Sequence, residues 1–274
     1  FGNEALALCT TGARNVALGK EAGNACTGSD NLFVGNTAGK ANTSASCNTF
    51  VGPSTGVATT TGGNNTAMGC DAMVANTTGS NNVAMGVNAL KSITTTTANV
   101  AIGYNALEDY TGHNTVAVGY ASLANTTGAD NTGCGHQTLE TNTSGTANVA
   151  VGSNALGVST SASQNTAVGA NAGSNVTTSQ QSVFIGYNTQ PNAASGQNTE
   201  VVIGWGCQGV GGGHITMGIS SGSDRIYNLP SSNASWTRVS DVRYKEDIQD
   251  NTDCGLDFIN VCNHAFFRLL QHHN

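Results

Sequence analysis

Short apolar runs that end in glycine recur along this chain about every seventeen residues. Polar stretches rich in Thr, Ser, Asn and Gly separate them, and the glycines are Gly19, Gly35, Gly52, Gly69, Gly86, Gly103, Gly119, Gly135, Gly152, Gly169, Gly186, Gly204 and Gly218. A fixed period this short is typical of stacked folds in which each repeat contacts only its neighbours. The pattern predicts an all-β, parallel β-solenoid (β-roll) of about thirteen coils over residues 1–218.

Each repeat is built on a five-residue string such as Asn65-Thr-Ala-Met-Gly69 or Asn99-Val-Ala-Ile-Gly103. The residue before the glycine is apolar in every unit, the residue three before it is Val, Thr, Leu or Ile, and mostly Ala, sometimes Phe, lies between them. This alternation predicts a strand with one face always buried. We expect Val, Ala and Met to form a thin interior, the Ala-rich positions to let neighbours approach closely, and each coil to contain two short strands and two corners.

Asparagine opens nine of the strings, at positions 15, 31, 48, 65, 82, 99, 131, 148 and 165. Two interpretations stand for it: stacked Asn side chains form a hydrogen-bonded ladder along the axis, or Asn is present as a turn former. The repeat glycine marks a corner where φ is positive or a side chain would clash.

Composition narrows the functional classes. Charged residues make up 9% of the chain and the net charge is −7, which argues against a nucleic-acid partner, since such proteins carry basic patches. No apolar run is long enough to cross a membrane, and neither a cofactor motif nor metal-ligand spacing is present. Because one coil buries little apolar surface, we expect lateral association of rods roughly 60 Å long at about 4.8 Å per coil.

Cysteine usage offers one candidate cross-link. Cys9 and Cys26 share one phase of the repeat and should lie one coil apart, within reach of a disulfide. The alternative is that both are small buried thiols in an Ala-like slot. Cys134 takes the apolar place before a repeat glycine, and we expect it to replace a core valine.

The residue after each repeat glycine varies most, which suggests an outward position. Tyr104 and Tyr120 occupy it in adjacent units. They are candidates to stack on each other or to contact a receptor glycan, and packing between coils or across protomers is the other interpretation.

After Gly218 the period stops. Residues 219–239 read as a transition, with a strand and turn predicted over 224–230. A charged segment, 240–274, follows, in which apolar spacing predicts a short helix between Leu256 and Leu270. The sequence therefore predicts a small α+β segment after the shaft.

Here the chain resembles a known family. Ser240-Asp241-x-Arg243-x-Lys245-x-x-Ile248, followed by Gly255-Leu-Asp-Phe-Ile-Asn260, looks like the start of the intramolecular chaperone of endosialidases and phage tail fibres, the S74 peptidase family. The repeat is similar to repeats upstream of such chaperones and to head repeats of trimeric autotransporter adhesins. The match loosens over 261–268, and the family's chaperones are longer.

The resemblance implies a homotrimeric viral tail or host-attachment fibre, located in the virion or at an extracellular surface. Its partners would be a host receptor or glycan and upstream fibre domains. The resemblance also implies self-cleavage at the Ser240–Asp241 junction, with Ser240 as nucleophile and Lys245 as its base partner. A cellular adhesin of the trimeric autotransporter kind is the alternative, although its membrane barrel has no counterpart in this sequence. Activity on external substrates is not expected, since the acidic residues are sparse and lie at unrelated phases.

Overall fold

The computed structural model describes residues 1–222, 224–232 and 237–238. One sheet holds fifteen strands in chain order, and the first thirteen are parallel. The strands are β1 Val16–Leu18, β2 Leu32–Val34, β3 Thr49–Val51, β4 Thr66–Met68, β5 Val83–Met85, β6 Val100–Ile102, β7 Val116–Val118, β8 Thr132–Cys134, β9 Val149–Val151, β10 Thr166–Val168, β11 Val183–Ile185, β12 Val201–Trp205, β13 Ile215–Ile219, β14 Arg225–Asn228 and β15 Thr237–Arg238. This is an all-β parallel solenoid of about twelve turns, as the sequence predicts.

Each strand pairs with its equivalent one coil along. In β6 and β7, for example, Val100 lies opposite Val116 and Ala101 opposite Ala117. The prediction of two strands per coil is wrong, because each coil from β1 to β11 contains a single strand of only three residues. The rest of the coil is turn, in which side-chain-bearing residues such as Asn81, Asn88 and Leu90 adopt positive φ near 55°, a region that L-residues rarely visit.

In each strand the side chain of the middle residue is buried inside the coil, and those of its two neighbours are not. This inner column holds Ala in most coils and Phe33, Phe50 and Phe184 in three, all of them fully buried apart from Ala17 at 7% exposure. The expected interior of Val, Ala and Met is therefore right for Ala, but the Val and Met residues at the strand ends point away from the coil, and Cys134 is exposed with them. The space inside the coil is too narrow to hold the branched Val and Met side chains of the strand ends as well as the inner column.

A second buried column completes the interior and compensates for the size of the first. Where the strand centre is Ala84, Ala101 or Ala150, a buried leucine six residues on fills the coil, as Leu90, Leu107 and Leu156. Where the centre is Phe50, that place is Gly56, and a Cβ added there would lie 2.5–2.7 Å from the Phe50 ring. Large and small residues therefore compensate for one another between the two columns. Where both are small, as at Ala17 with Gly23 and Ala167 with Gly173, a ring of the next coil, Phe33 or Phe184, fills the space.

The repeat glycines are corners, as predicted, for both of the proposed reasons. Gly103 has φ of 133°, and a Cβ there would run into the carbonyl of Gly119 in the next coil. Successive coils thus approach through their corner backbones, which a side chain would separate.

The asparagine ladder is confirmed. Asn148 illustrates one rung: its Oδ1 accepts from the backbone N–H of Asn165 at 3.0 Å, and its Nδ2 donates to Asn131 Oδ1 at 3.1 Å and to the carbonyl of Ala162 at 2.8 Å. Thr115 and Ser182 interrupt the column, where the Asn99 and Asn165 amide oxygens accept from their N–H groups. Buried amides therefore tie each coil to both neighbours.

The solenoid sheet ends in an antiparallel hairpin. β14 pairs antiparallel with β13, and β15 with β14, which agrees with the strand predicted over 224–230. Residues 1–239 form one compact unit. The predicted α+β segment and its helix lie outside the described residues.

Candidate functional site

The strands present one long surface to solvent, which we call the outward face. It consists of three columns that run along the solenoid: the residue three before each corner glycine (first column), the residue immediately before it (second column) and the residue immediately after it (variable column). The β-branched residues that look like core in the sequence form the first two columns. Their alternation with the buried inner column places them on the opposite side of the sheet.

This face carries most of the exposed large apolar side chains of the described chain. Of those side chains, only Phe1, Leu8, Val158 and Ile226 lie elsewhere, while Leu18, Met68, Met85, Ile102, Val151, Val168 and Ile185 form the second column at 37–48% exposure. The second column is apolar at all thirteen rungs, and a row of exposed apolar side chains of this length is uncommon on a protein that stays solitary in water.

The outward face is also almost without charge. In the thirteen described rungs, its only Lys, Arg, Asp or Glu is Lys20, at the first corner. Charged pairs lie on other parts of the coils. Lys40 Nζ is 2.5 Å from Glu21 Oε2, and Lys91 Nζ is 3.4 Å from Glu108 Oε1. The hydrogen bond from Lys40 lowers the pKa of Glu21, so the charges of these turns are paired between coils.

The predicted pair Tyr104 and Tyr120 is brought together in the variable column. The two rings stack with centroids 5.4 Å apart and planes 12° apart, and His136 continues the stack at 5.2 Å. Tyr187 and Trp205 form a second stack at 6.0 Å. We name these two groups the ring stacks.

The stacking determines which parts of the rings a ligand can reach. Both π-faces of Tyr120 are covered, one by Tyr104 and the other by His136, so the ring meets solvent through its edge and hydroxyl. Sugar binding by aromatic residues uses an open ring face. The receptor-glycan role of Tyr104 and Tyr120 therefore stays a prediction, and the geometry presents them first as a rigid ridge.

Cys9 and Cys26 occupy equivalent places, but both are free thiols in this structure. Cys9 Sγ donates to the carbonyl of Gly12 at 3.6 Å, and Cys26 Sγ donates to that of Gly28 at 3.5 Å. Cys26 is buried, and burial raises the pKa of its thiol. The contacts fit the alternative of small thiols inside the coil, and the disulfide stays a prediction.

Sequence reasoning missed a buried ionisable group at the last coils. Glu200 takes the place of the ladder asparagine and is fully buried. Its carboxylate accepts from the N–H groups of Gly211 at 2.9 Å and Asn192 at 3.2 Å. Arg225 of β14 binds the neighbouring carbonyls of Gln208 and Gly209.

Burial raises the pKa of Glu200, and the two backbone donors, His214 and Arg225 oppose the rise. Its phase, four residues before Gly204, was the signal that could have identified this group.

The predicted cleavage residues Ser240, Asp241 and Lys245 lie outside the described residues, so their self-cleavage role stays a prediction. Within the part of the chain that the structure describes, no group of three His, Cys, Asp or Glu side chains could hold a metal ion. That part also has no helix long and apolar enough to cross a membrane.

No protein-family model matches the chain, and no curated protein and no solved structure matches it at a significant level.

Proposed function

We propose that this chain is a structural fibre shaft that works as a homotrimer, in which three parallel solenoids associate through their outward faces. The observation that carries the proposal is the outward face itself, an apolar surface with one lysine at its first corner that is continuous over thirteen rungs. Burying this face removes apolar surface from water at about 25 cal/mol per Å².

The size of the face suits a stable interface. The first and variable columns are four residues apart, about 14 Å, and twelve steps of about 4.8 Å give a length near 58 Å. The footprint is therefore about 800 Å² per copy. In a trimer each copy shares this face between its two neighbours, so the three faces together bury about 2,400 Å², which exceeds the total of a standard protein–protein interface. Because the face is almost uncharged, two copies of it can meet without burying unpaired charges.

The role of the fibre follows from the sequence resemblance. The segment around Ser240 and the repeat both resemble parts of viral tail fibres, so we propose a host-attachment fibre in the virion, with a receptor or glycan at the host surface as its partner. A cellular adhesin is the alternative, and the outward face is compatible with both. A fibre role requires a rigid surface for association, which an enzymatic role does not, and the outward face supplies such a surface.

The mass of the native particle tests the proposal. Size-exclusion chromatography with light scattering at micromolar concentration should give three times the chain mass of 27.6 kDa, or three times that of residues 1–240 if the chain is cut. A particle of one chain mass would contradict the proposal.

Self-cleavage is tested separately by intact mass under denaturing conditions. Cleavage would give two fragments that end and begin at the Ser240–Asp241 bond, and Ser240→Ala should leave a single uncut chain. A chain that stays uncut in the native sequence contradicts the cleavage role and leaves the trimer proposal standing.

A further inference from the structure

The outward face has two uniform columns and one that is not uniform. In the first two columns, each rung holds Val, Leu, Ile, Thr, Met or Cys, side chains of similar size and little polarity. If one copy slides along another by a single rung, these columns exchange like for like. They supply adhesion but do not distinguish one axial alignment from the next.

The variable column changes along its length. It holds, in order, Lys20, Asn36, Pro53, Cys70, Val87, Tyr104, Tyr120, His136, Ser153, Ala170, Tyr187, Trp205 and Ile219. The ring stacks form two ridges, and Ser153 and Ala170 leave a depression between them. From His136 to Tyr187 the distance is three coils, about 14 Å.

The ridges are stiff and exposed. Tyr104 and Tyr120 are 47% and 50% exposed and Trp205 is 62% exposed, and each ring rests on its neighbour along the axis. Such ridges cannot flatten to accept a different neighbour without losing their stacking, which is worth about 0.5–1.5 kcal/mol per pair beyond burial. A slip of one rung would bring ring edges against Val87 and Ser153 and leave rings unmatched.

We infer that the variable column fixes the axial register in which copies of this chain associate, and that the ring stacks act as the key. This inference rests on the proposed trimer, and the occupant of the face is a second copy of the chain. A closed threefold particle requires all copies at the same height, and the ring stacks select that alignment from those that the uniform columns accept equally well. Register selection by a minority of non-uniform positions is known for other repetitive interfaces.

The test uses a variant chain in which the ring stacks are shifted by one rung, paired with a native chain. A shifted chain carries Val87→Tyr, His136→Ser, Ala170→Tyr and Trp205→Ser, which places both ring stacks one coil nearer its first residue. Tyr and Ser already occur in this column, so the fold should be kept, and circular dichroism and hydrogen exchange of the Asn ladder check it. Spin labels go on exposed turn residues away from the outward face: Thr61 in one chain and Thr178 in its partner, seven coils apart.

Pulsed electron–electron distance measurement on co-expressed pairs then reads the register, since the separation of the labels is mainly axial. Two native chains should give one narrow distance. A native chain labelled at Thr61 with a shifted chain labelled at Thr178 should give a distance longer by about 5 Å, because the rings realign one rung along. An unchanged distance would overturn the inference, and so would several distances in the native pair.

Two further samples complete the design. Removing the key with Tyr104→Ser, Tyr120→Ser, His136→Ser, Tyr187→Ser and Trp205→Ser should add populations about 5 Å to either side of the native distance. The matched control, Met68→Val, Met85→Val and Ile102→Val, alters a uniform column and should keep a single distance. A key-free chain that keeps one distance contradicts the inference, whereas a native chain with no inter-chain distance at all contradicts the proposed trimer as well.

Discussion

The two sides of the same strands obey different rules. Inside the coil, each residue depends on particular partners: Phe50 requires Gly56, Ala84 is matched by Leu90, and each ladder asparagine holds the next coil. Outside, the first two columns repeat one kind of side chain, and neighbours along the column are interchangeable. The inner side therefore determines the coil, and the outward side determines what the coil associates with.

The largest loss of stability should come from substituting a corner glycine, because no side chain fits at these positions. Gly103→Ala places a Cβ against the Gly119 carbonyl at a φ that alanine avoids, and we expect a loss of at least about 4 kcal/mol in the free energy of unfolding. Urea unfolding measures it. Ser153→Ala, on an exposed rung of the variable column, should stay within about 0.5 kcal/mol, and equal losses in the two variants would refute the corner argument.

The pairing of large with small residues can be tested by a double-mutant cycle. Phe50→Ala should cost about 3–5 kcal/mol through a cavity, and Gly56→Leu should cost about 1–3 kcal/mol or more through overpacking. The double variant reproduces the native Ala84 and Leu90 arrangement and should return to within about 1.5 kcal/mol of the native chain. Additive losses would show that the two columns are independent.

Removing one asparagine from the ladder should cost less free energy of unfolding than substituting a corner glycine or a buried phenylalanine. Asn148→Ala leaves the Asn165 N–H and the Ala162 carbonyl buried without this partner, and we expect a loss of about 2–3 kcal/mol. The control is Asn125→Ala, since Asn125 is exposed and its amide makes one bond of 3.4 Å. The ladder would lose its importance if thermal unfolding ranked the two variants equally.

The smallest effect is local and concerns Glu200, where the ladder ends in a carboxylate. Because burial raises its pKa, the folded last coils bind protons more readily than the unfolded chain. Their stability should be highest below the ordinary glutamate pKa and should fall as pH rises through the raised value. The protection factor of the Gly211 amide in hydrogen exchange should thus be larger at pH 5 than at pH 7, and Glu200→Asn should remove the difference. Protection that rises with pH in the native chain would reverse the sign of this argument.

The repeat was enough to predict the solenoid, the parallel register and the corner glycines, because a fixed period allows only a stacked fold. It did not reveal which side of the strand is buried. Alternation distinguishes two faces but does not rank them, and Val and Met look more like core than Ala does. The deciding fact is the narrow coil, which the Phe50 and Gly56 pair shows and which single-sequence patterns do not. The second predicted strand failed because the turn residues adopt positive φ.

The candidate site was only partly predictable. The variability of the residue after each glycine indicated an outward position, and the stacking of Tyr104 on Tyr120 follows from their equivalent phases. The phases of His136 and Glu200 place them in the variable column and in the asparagine ladder. The stacking of the His136 ring and the burial and backbone donors of the Glu200 carboxylate depend on three-dimensional neighbours.

The central claim is that copies associate through the outward face, and a single charge placed on it tests this most directly. Ile102→Lys introduces an ammonium group in the middle of the face, whereas Thr78→Lys puts the same group on an exposed turn. Light scattering should show that Ile102→Lys shifts the particle to one chain mass at concentrations where the native chain and Thr78→Lys remain trimers. A trimer that survives Ile102→Lys unchanged would place the contact between copies on another face and contradict the account.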